Sequence, residues 1–160
     1  MKYIRFNVGG EPVGKGRPRF STFNGFVRTH NDKKTESYES KVIFAYRQNH
    51  EDMIFDQHEQ ITAYIDAYFI LPKKCYRFYK RENVTKITQE GQDMLSGKIR
   101  PTKKPDCDNI AKIILDALNG IAYHDDSQVV CIIVNKYYGE TNRVEVGLES
   151  GKNDYRFKRT

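Results

Sequence analysis

Asp108-Asn109-Ile110-Ala111-Lys112-Ile113-Ile114-Leu115-Asp116-Ala117-Leu118-Asn119 is the stretch on which the fold turns. Ile110, Ile113, Ile114, Ala117, Leu118 and, just beyond, Ile121 recur at helical spacing and make one broad apolar face. Asp108, Lys112 and Asp116 fall in a single i, i+4 row on the polar face. Gly120 closes the helix on its C-terminal side. Downstream, 129–138 and 143–148 read as strands around Gly139-Glu140-Thr141-Asn142, a hairpin. Upstream, 99–107 reads as a short extended segment. Residues 61–71, rich in Ile, Tyr and Phe, read as a central strand ended by Pro72. The polar, basic stretch 73–98 predicts short helices and mobile connections. Residues 35–49 carry Tyr38, Val42, Ala45 and Tyr46 at helical spacing, with Thr35 as the N-cap. A short strand is expected at 23–29 and a half-buried one at 3–8, separated by the glycines and proline of 9–16. Strands and helices mix irregularly, without internal repeats or low-complexity tracts. This pattern predicts an α/β (α+β) fold, a mixed β-sheet flanked by helices.

A chain of 160 residues suggests one domain, 1–160, large enough for a hydrophobic core. No apolar run approaches a membrane span, and the alternating N-terminus is no signal peptide. Cys75, Cys107 and Cys131 are odd in number and widely spaced, without a Cys-x-x-Cys pair. That argues against a zinc ribbon or a thioredoxin-like site and for reduced, mostly buried thiols in a cytoplasmic protein. The net charge of +6 favours a polyanionic partner, nucleic acid above all.

Against that basic background the acidic residues cluster. Read as a strand, Asp106 and Asp108 point to the same side and Cys107 turns towards the core. Two adjacent carboxylates repel unless a cation or proton lies between them, and a hard divalent cation such as Mg²⁺ takes oxygen ligands of this kind. Lys112, one turn above, is placed to neutralise a phosphate oxygen, and Asp116 to orient the lysine. Tyr123-His124-Asp125-Asp126-Ser127-Gln128 brings a second acidic pair just before a strand, so a third carboxylate could complete a site that activates water. Taken singly, Asp108 reads as an N-cap, Asp125-Asp126 as a turn and Lys112 with Asp116 as a surface ion pair. Such coincidences, taken together within about twenty residues, favour a catalytic site.

The ordered run Lys104-Pro105-Asp106-Cys107-Asp108-Asn109, Lys112, Leu115-Asp116-Ala117-Leu118-Asn119-Gly120 and Asp125-Asp126-Ser127-Gln128 resembles the signature of the RusA family of Holliday junction resolvases. Gly14-Lys15-Gly16-Arg17-Pro18-Arg19-Phe20 and Lys136-Tyr137-Tyr138 extend the resemblance over nearly the whole chain. It implies a RusA-like fold and a homodimeric crossover junction endodeoxyribonuclease that cuts four-way DNA junctions in recombination and repair. The implied cofactor is Mg²⁺, with Mn²⁺ as a substitute. Asp106, Asp108 and Asp126 match the family's essential aspartates and Lys112 its functional lysine, with Asp125 and Asp116 as outer-shell candidates. Some members carry a basic residue directly before the first aspartate; here Pro105 stands, and Lys103 and Lys104 lie next to it.

A helix of about twelve residues is about 18 Å long, so a simple crossover leaves Asp126 at the far end from Asp108. The segment 121–126, spanning about 20 Å if extended, could return within one chain, which is the favoured expectation; otherwise Asp126 joins a partner's site. Gly9-Gly10-Glu11-Pro12-Val13-Gly14-Lys15-Gly16 nearly matches a P-loop, but Gly16 replaces the Ser or Thr that would hold Mg²⁺, and Arg17-Pro18-Arg19 blocks the helix start. No nucleotide cofactor is expected. The segment reads equally as a solvated hairpin or as a DNA contact through Lys15, Arg17, Arg19 and Arg28. Lys73, Lys74, Arg77, Lys80 and Arg81, interleaved with Tyr76, Phe78 and Tyr79, form a second basic stretch whose aromatics could stack on unpaired bases, although Phe78 reads first as core. His124 reads as a partly exposed bystander, and His30, His50 and His58 lack ligand spacing. Two other readings share the basic surface: a non-catalytic structure-specific DNA-binding protein, and a nuclease that prefers flaps or other branches.

Overall fold

The computed structural model describes residues 2–16, 19–23, 26–30, 32–50 and 54–151, with 19–23 and 26–30 described as backbone. The chain runs β1 (Tyr3–Gly9), β2 (Arg19–Phe23), β3 (Phe26–His30), α1 (Lys33–His50) and β4 (Ile61–Ile70). A 3-10 turn (Lys73–Cys75), β5 (Tyr76–Tyr79), β6 (Val84–Ile87), α2 (Gln89–Leu95) and α3 (Cys107–Leu118) follow, and a second 3-10 turn (Asp126–Gln128) leads into β7 (Val129–Gly139) and β8 (Arg143–Ser150). Four strands form the main sheet in the order β1-β8-β4-β7. β8 is antiparallel to both of its neighbours, whereas β4 and β7 are parallel. Parallel neighbours need a long crossover, and α3 lies within it. The result is the α+β mixed sheet with flanking helices that the pattern of apolar residues foretold.

Period-two alternation sets which side of the sheet is covered. Ile4, Phe6 and Val8 of β1, Ile65, Ala67 and Phe69 of β4, and Val144, Val146 and Leu148 of β8 are buried together. Tyr38, Val42 and Tyr46 of α1 join the same core as Ile110, Ile113, Ile114 and Leu118 of α3. The β4–β7 register pairs Ala63 with Ile132 and Ile65 with Val134, so Ile132 and Val134 lie on the helix-covered side. At the end of the sheet β7 has a single neighbour among the described residues, and Val130 and Ile132 stay 60% and 47% exposed. On the opposite side Arg143 lies over Tyr68, Tyr68 stacks on Tyr137, and Arg100 covers Tyr137.

Several local expectations change. The single strand at 23–29 is instead a pair, β2 and β3, in antiparallel register. α1 starts at Lys33, so Thr35 is inside the helix; its hydroxyl accepts a hydrogen bond from the Gly16 N–H at 3.3 Å rather than capping the helix. The stretch 73–98 contains a β-hairpin, β5–β6, between its two short helical turns. Phe78 on that hairpin is 56% exposed and not core. All three cysteines are free, and only Cys75 is buried, whereas Cys107 is exposed.

Candidate active site

α3 begins one residue earlier than its apolar period suggested. Asp106 is the N-cap with extended backbone angles, and its side chain accepts no capping hydrogen bond. Its carbonyl accepts from the Ile110 N–H at 3.0 Å. Cys107 is therefore the first helical residue, and Asp108 stands in the first turn, where the positive end of the helix favours a carboxylate. The segment is thus a helix start and not the strand that the sequence suggested, with Asp106 at the extended N-cap position and Asp108 inside the first turn. Asp106 lines a cleft of about 370 Å³ with Glu11, Gly14, Lys34 and Lys104. Asp108 lines another, of about 440 Å³, with Lys112, Asp116 and Asp126; Ala111, Leu115, Val129, Ile132 and Val134 form its apolar wall.

Asp126 opens the 3-10 turn before β7. The buried Tyr123, three residues before it, ties this turn to α3. The Tyr123 hydroxyl donates to the Leu115 carbonyl at 2.7 Å. Burial raises that phenol's pKa, and the nearby charges of Asp126 and Asp116 raise it further. The row from Asp108 to Asp116 covers about 12 Å of helix, and Asp126 lines the cleft along that row. Asp126 and Asp108 line the same cleft of one protomer. Among the described residues no three acidic, histidine or cysteine side chains gather closely enough to hold a metal ion. Asp106, Asp108 and Asp126 therefore form no gathered three-carboxylate cluster among the described residues.

The neighbours divide into exposed groups and supporting ones. Lys112 is exposed and forms no ion pair among the described residues. Asp116 does not orient it; its carboxylate meets the Lys15 ammonium at 2.9 Å, and Glu39 holds the same ammonium from α1. Burial works against the Lys15 charge, but the hydrogen bonds to Glu39 and Asp116 outweigh it and raise the pKa above the ordinary lysine value. The Lys15 backbone N–H donates to the Asn109 carbonyl at 2.9 Å. A Cβ on Gly14 would lie 2.8 Å from the Pro105 Cβ and 3.0 Å from the Asn109 Cβ. The P-loop-like segment is therefore a strap against the start of α3, and glycine is what permits the approach.

Asp125 serves the backbone. Its carboxylate accepts from the Ser127 N–H at 2.9 Å, and hydrogen bonding from Ser127 holds its pKa below the usual aspartate value. Gln128 uses both ends of its amide: the oxygen accepts from the His124 and Asp125 N–H groups, and the nitrogen donates to the carbonyls of Asp56 and Glu59. The Asp-Asp-Ser-Gln run is thus a fixed turn that presents Asp126, while His124 is exposed. Among the basic residues, Lys73, Lys74, Lys103 and Lys104 are exposed. Lys74 pairs with Glu90, and Lys103 lies over the Phe69 ring. Arg17 falls outside the described residues, as do the side chains of Arg19 and Arg28. Lys34 beside Asp106 had escaped notice; the Lys33-Lys34 pair opening α1 was its sequence signal.

A family model described as endodeoxyribonuclease RusA matches residues 9–149, from the strap through both acidic segments to β8. The chain belongs to the RusA endodeoxyribonuclease family. It is 36% identical over 146 residues to the uncharacterized protein YqaN of Bacillus subtilis (strain 168), covering 91% of this chain and 95% of that protein. The RusA match joins the strap, α3 and the Asp126 turn in one family pattern and supports nuclease chemistry on DNA. No helix among the described residues of this RusA chain is long and apolar enough to cross a membrane.

Proposed function

We propose that residues 1–160 act as one domain that resolves Holliday junctions in the cytoplasm, hydrolysing phosphodiester bonds in paired strands of four-way DNA during recombination and repair. The observation that carries this reading is the cleft along α3. Within a RusA-family fold, Asp108, Lys112, Asp116 and Asp126 line one cleft beside β7. Lys112 is the exposed cation for the scissile phosphate, and Asp108 and Asp126 are exposed carboxylates in the same cleft. Asp116 fixes the strap through Lys15, and Asp125 fixes the turn that carries Asp126. Lys73, Lys74, Lys103 and Lys104, with Arg17 and Arg19, are the proposed phosphate contacts, which makes affinity strongly salt-dependent.

The reading includes dependence on Mg²⁺, with Mn²⁺ as a substitute, and assigns Asp106, Asp108 and Asp126 to the cation. Asp108 and Asp126 line one cleft of a single protomer, so the reading completes the cation site within one chain and takes the homodimer to supply two such sites. Two-fold symmetry then suits two matched cuts. Mixing protomers that carry Asp106→Asn with protomers that carry Asp126→Asn tests this: no recovery is expected, and restored cleavage in a verified mixed dimer rejects completion within one chain.

The function is tested with labelled four-way junction, flap, duplex and single-stranded DNA across a Mg²⁺ titration. The expected result is metal-dependent cutting of the junction, reduced by roughly 10²-fold or more in Asp108→Asn with junction binding retained. Binding without cutting at any Mg²⁺ concentration would identify a non-catalytic junction binder, and faster cutting of flaps would replace the substrate. Undiminished cleavage by Asp108→Asn would falsify the site.

A further inference from the structure

We propose that the β5–β6 hairpin is a base-stacking element that takes unpaired nucleotides at a DNA branch point, an inference that rests on the proposed action on branched DNA. Seven of the eight strand residues are exposed, and Ile87 is half-buried. Tyr76, Phe78 and Tyr79 are 41%, 56% and 39% exposed. Alternation and the pairing of Phe78 with Thr85 and of Arg77 with Lys86 put Tyr76 and Phe78 on one side of the hairpin. Arg77, Tyr79 and Lys86 share the other, where the Lys86 ammonium lies 5.1 Å from the Tyr79 ring centre.

Charge selects the occupant. Residues 73–87 contain six cations, Lys73, Lys74, Arg77, Lys80, Arg81 and Lys86, against the single acid Glu82. Lys73, Arg77, Lys80 and Arg81 have no acidic partner among the described residues. Bare aromatic rings amid unpaired cations complement a ligand with flat π faces and an anionic backbone. In an intact duplex the base faces are already stacked; at a branch point they can open to a ring.

The hairpin is also held for presentation. A two-stranded hairpin alone is marginally stable in water, and here a small separate core grips its base. Leu71, Cys75 and Met94 are buried together, with Ile87 and Tyr138 packed against them. The Thr88 N–H donates to the Cys75 carbonyl at 2.8 Å, and the Thr88 hydroxyl caps α2 by accepting from the Gly91 N–H. A Cβ on Gly91 would lie 2.6 Å from the Ile87 Cγ2 and 3.0 Å from the Cys75 Cβ, so α2 seats directly on the hairpin's base. The hairpin leaves the C-terminal end of β4, and Lys103, just before α3, lies over Phe69 at that same end. A nucleotide stacked on Phe78 would therefore be held at the end of the sheet from which Asp106 starts α3.

The sequence contains no tryptophan, so Phe78→Trp places the sole indole on the hairpin. In the full chain carrying Asp108→Asn, which keeps the DNA intact, Phe78→Trp is expected to retain junction affinity, and its fluorescence to be quenched by the junction and by single-stranded oligonucleotide but not by duplex. Phe78→Ala is expected to lose roughly 5- to 100-fold in junction affinity with duplex affinity unchanged. An unquenched indole together with parental junction binding by Phe78→Ala overturns the inference, as does an equal loss on junction and duplex. A parent that binds junction no better than duplex overturns the resolvase reading instead, and quenching by single-stranded oligonucleotide then still decides whether the hairpin stacks on bases.

Discussion

Phe69 and Phe78 sit nine positions apart in segments of similar composition, Tyr68-Phe69-Ile70 and Arg77-Phe78-Tyr79, yet one is 1% and the other 56% exposed. Phe69 belongs to β4, which pairs with a neighbour on each edge and is covered by helices on one side. Phe78 belongs to a two-stranded hairpin whose strands pair with nothing else among the described residues. The difference teaches that β-propensity here reports strand formation, while burial depends on what the rest of the chain lays over the strand. The covered region carries the stability, and the bare one is free to meet a partner.

The largest expected effect that sharpens this contrast is Phe69→Ala, which should cost about 3–5 kcal/mol of unfolding free energy, measured by denaturant titration. Gly14→Val should follow at about 1–3 kcal/mol, because its side chain collides with Pro105 and Asn109 at the start of α3; it should also reduce cleavage by displacing Asp106 and Asp108. A Gly14→Val protein as stable as the parent would show that the strap is not seated tightly. A smaller effect concerns pH. The raised Lys15 pKa means that its contribution is full below the ordinary lysine value of 10.5 and is lost as pH rises through the higher folded value. Lys15→Met should therefore flatten the alkaline loss of stability in melts taken across that range. The smallest is Phe78→Ala, expected to change stability by no more than about 0.5 kcal/mol. A large destabilisation there would break the contrast by showing the hairpin to be structural.

Much of the covered region was legible because periodicity survives only where one side is buried. Ile4, Phe6 and Val8 alternate, and Ile110, Ile113, Ile114 and Leu118 repeat every third or fourth residue. The β5–β6 hairpin was not legible for the same reason: both of its sides meet water, so its residues carry no alternation to read. At the site, the acidic residues and Lys112 stood out by type and order, but their geometry did not. Asp106 lines a cleft with Glu11 and Lys34, and Asp108 one with Lys112 and Asp126, neighbours that spacing along the chain does not reveal. The partner of Asp116 lay beyond local reading altogether, since Lys15 comes from the strap far upstream.

By itself, the sequence determined the helix and strand periods, the basic balance and the ordered acidic motif that marks the family, because these are local or one-dimensional properties of the chain. Tertiary structure alone decided which carboxylates share a cleft, which lysine is held by Glu39 and Asp116, and which phenylalanine is left bare. Those outcomes depend on the crossover of α3 between β4 and β7 and on long-range packing, where direction and distance in space replace spacing along the chain.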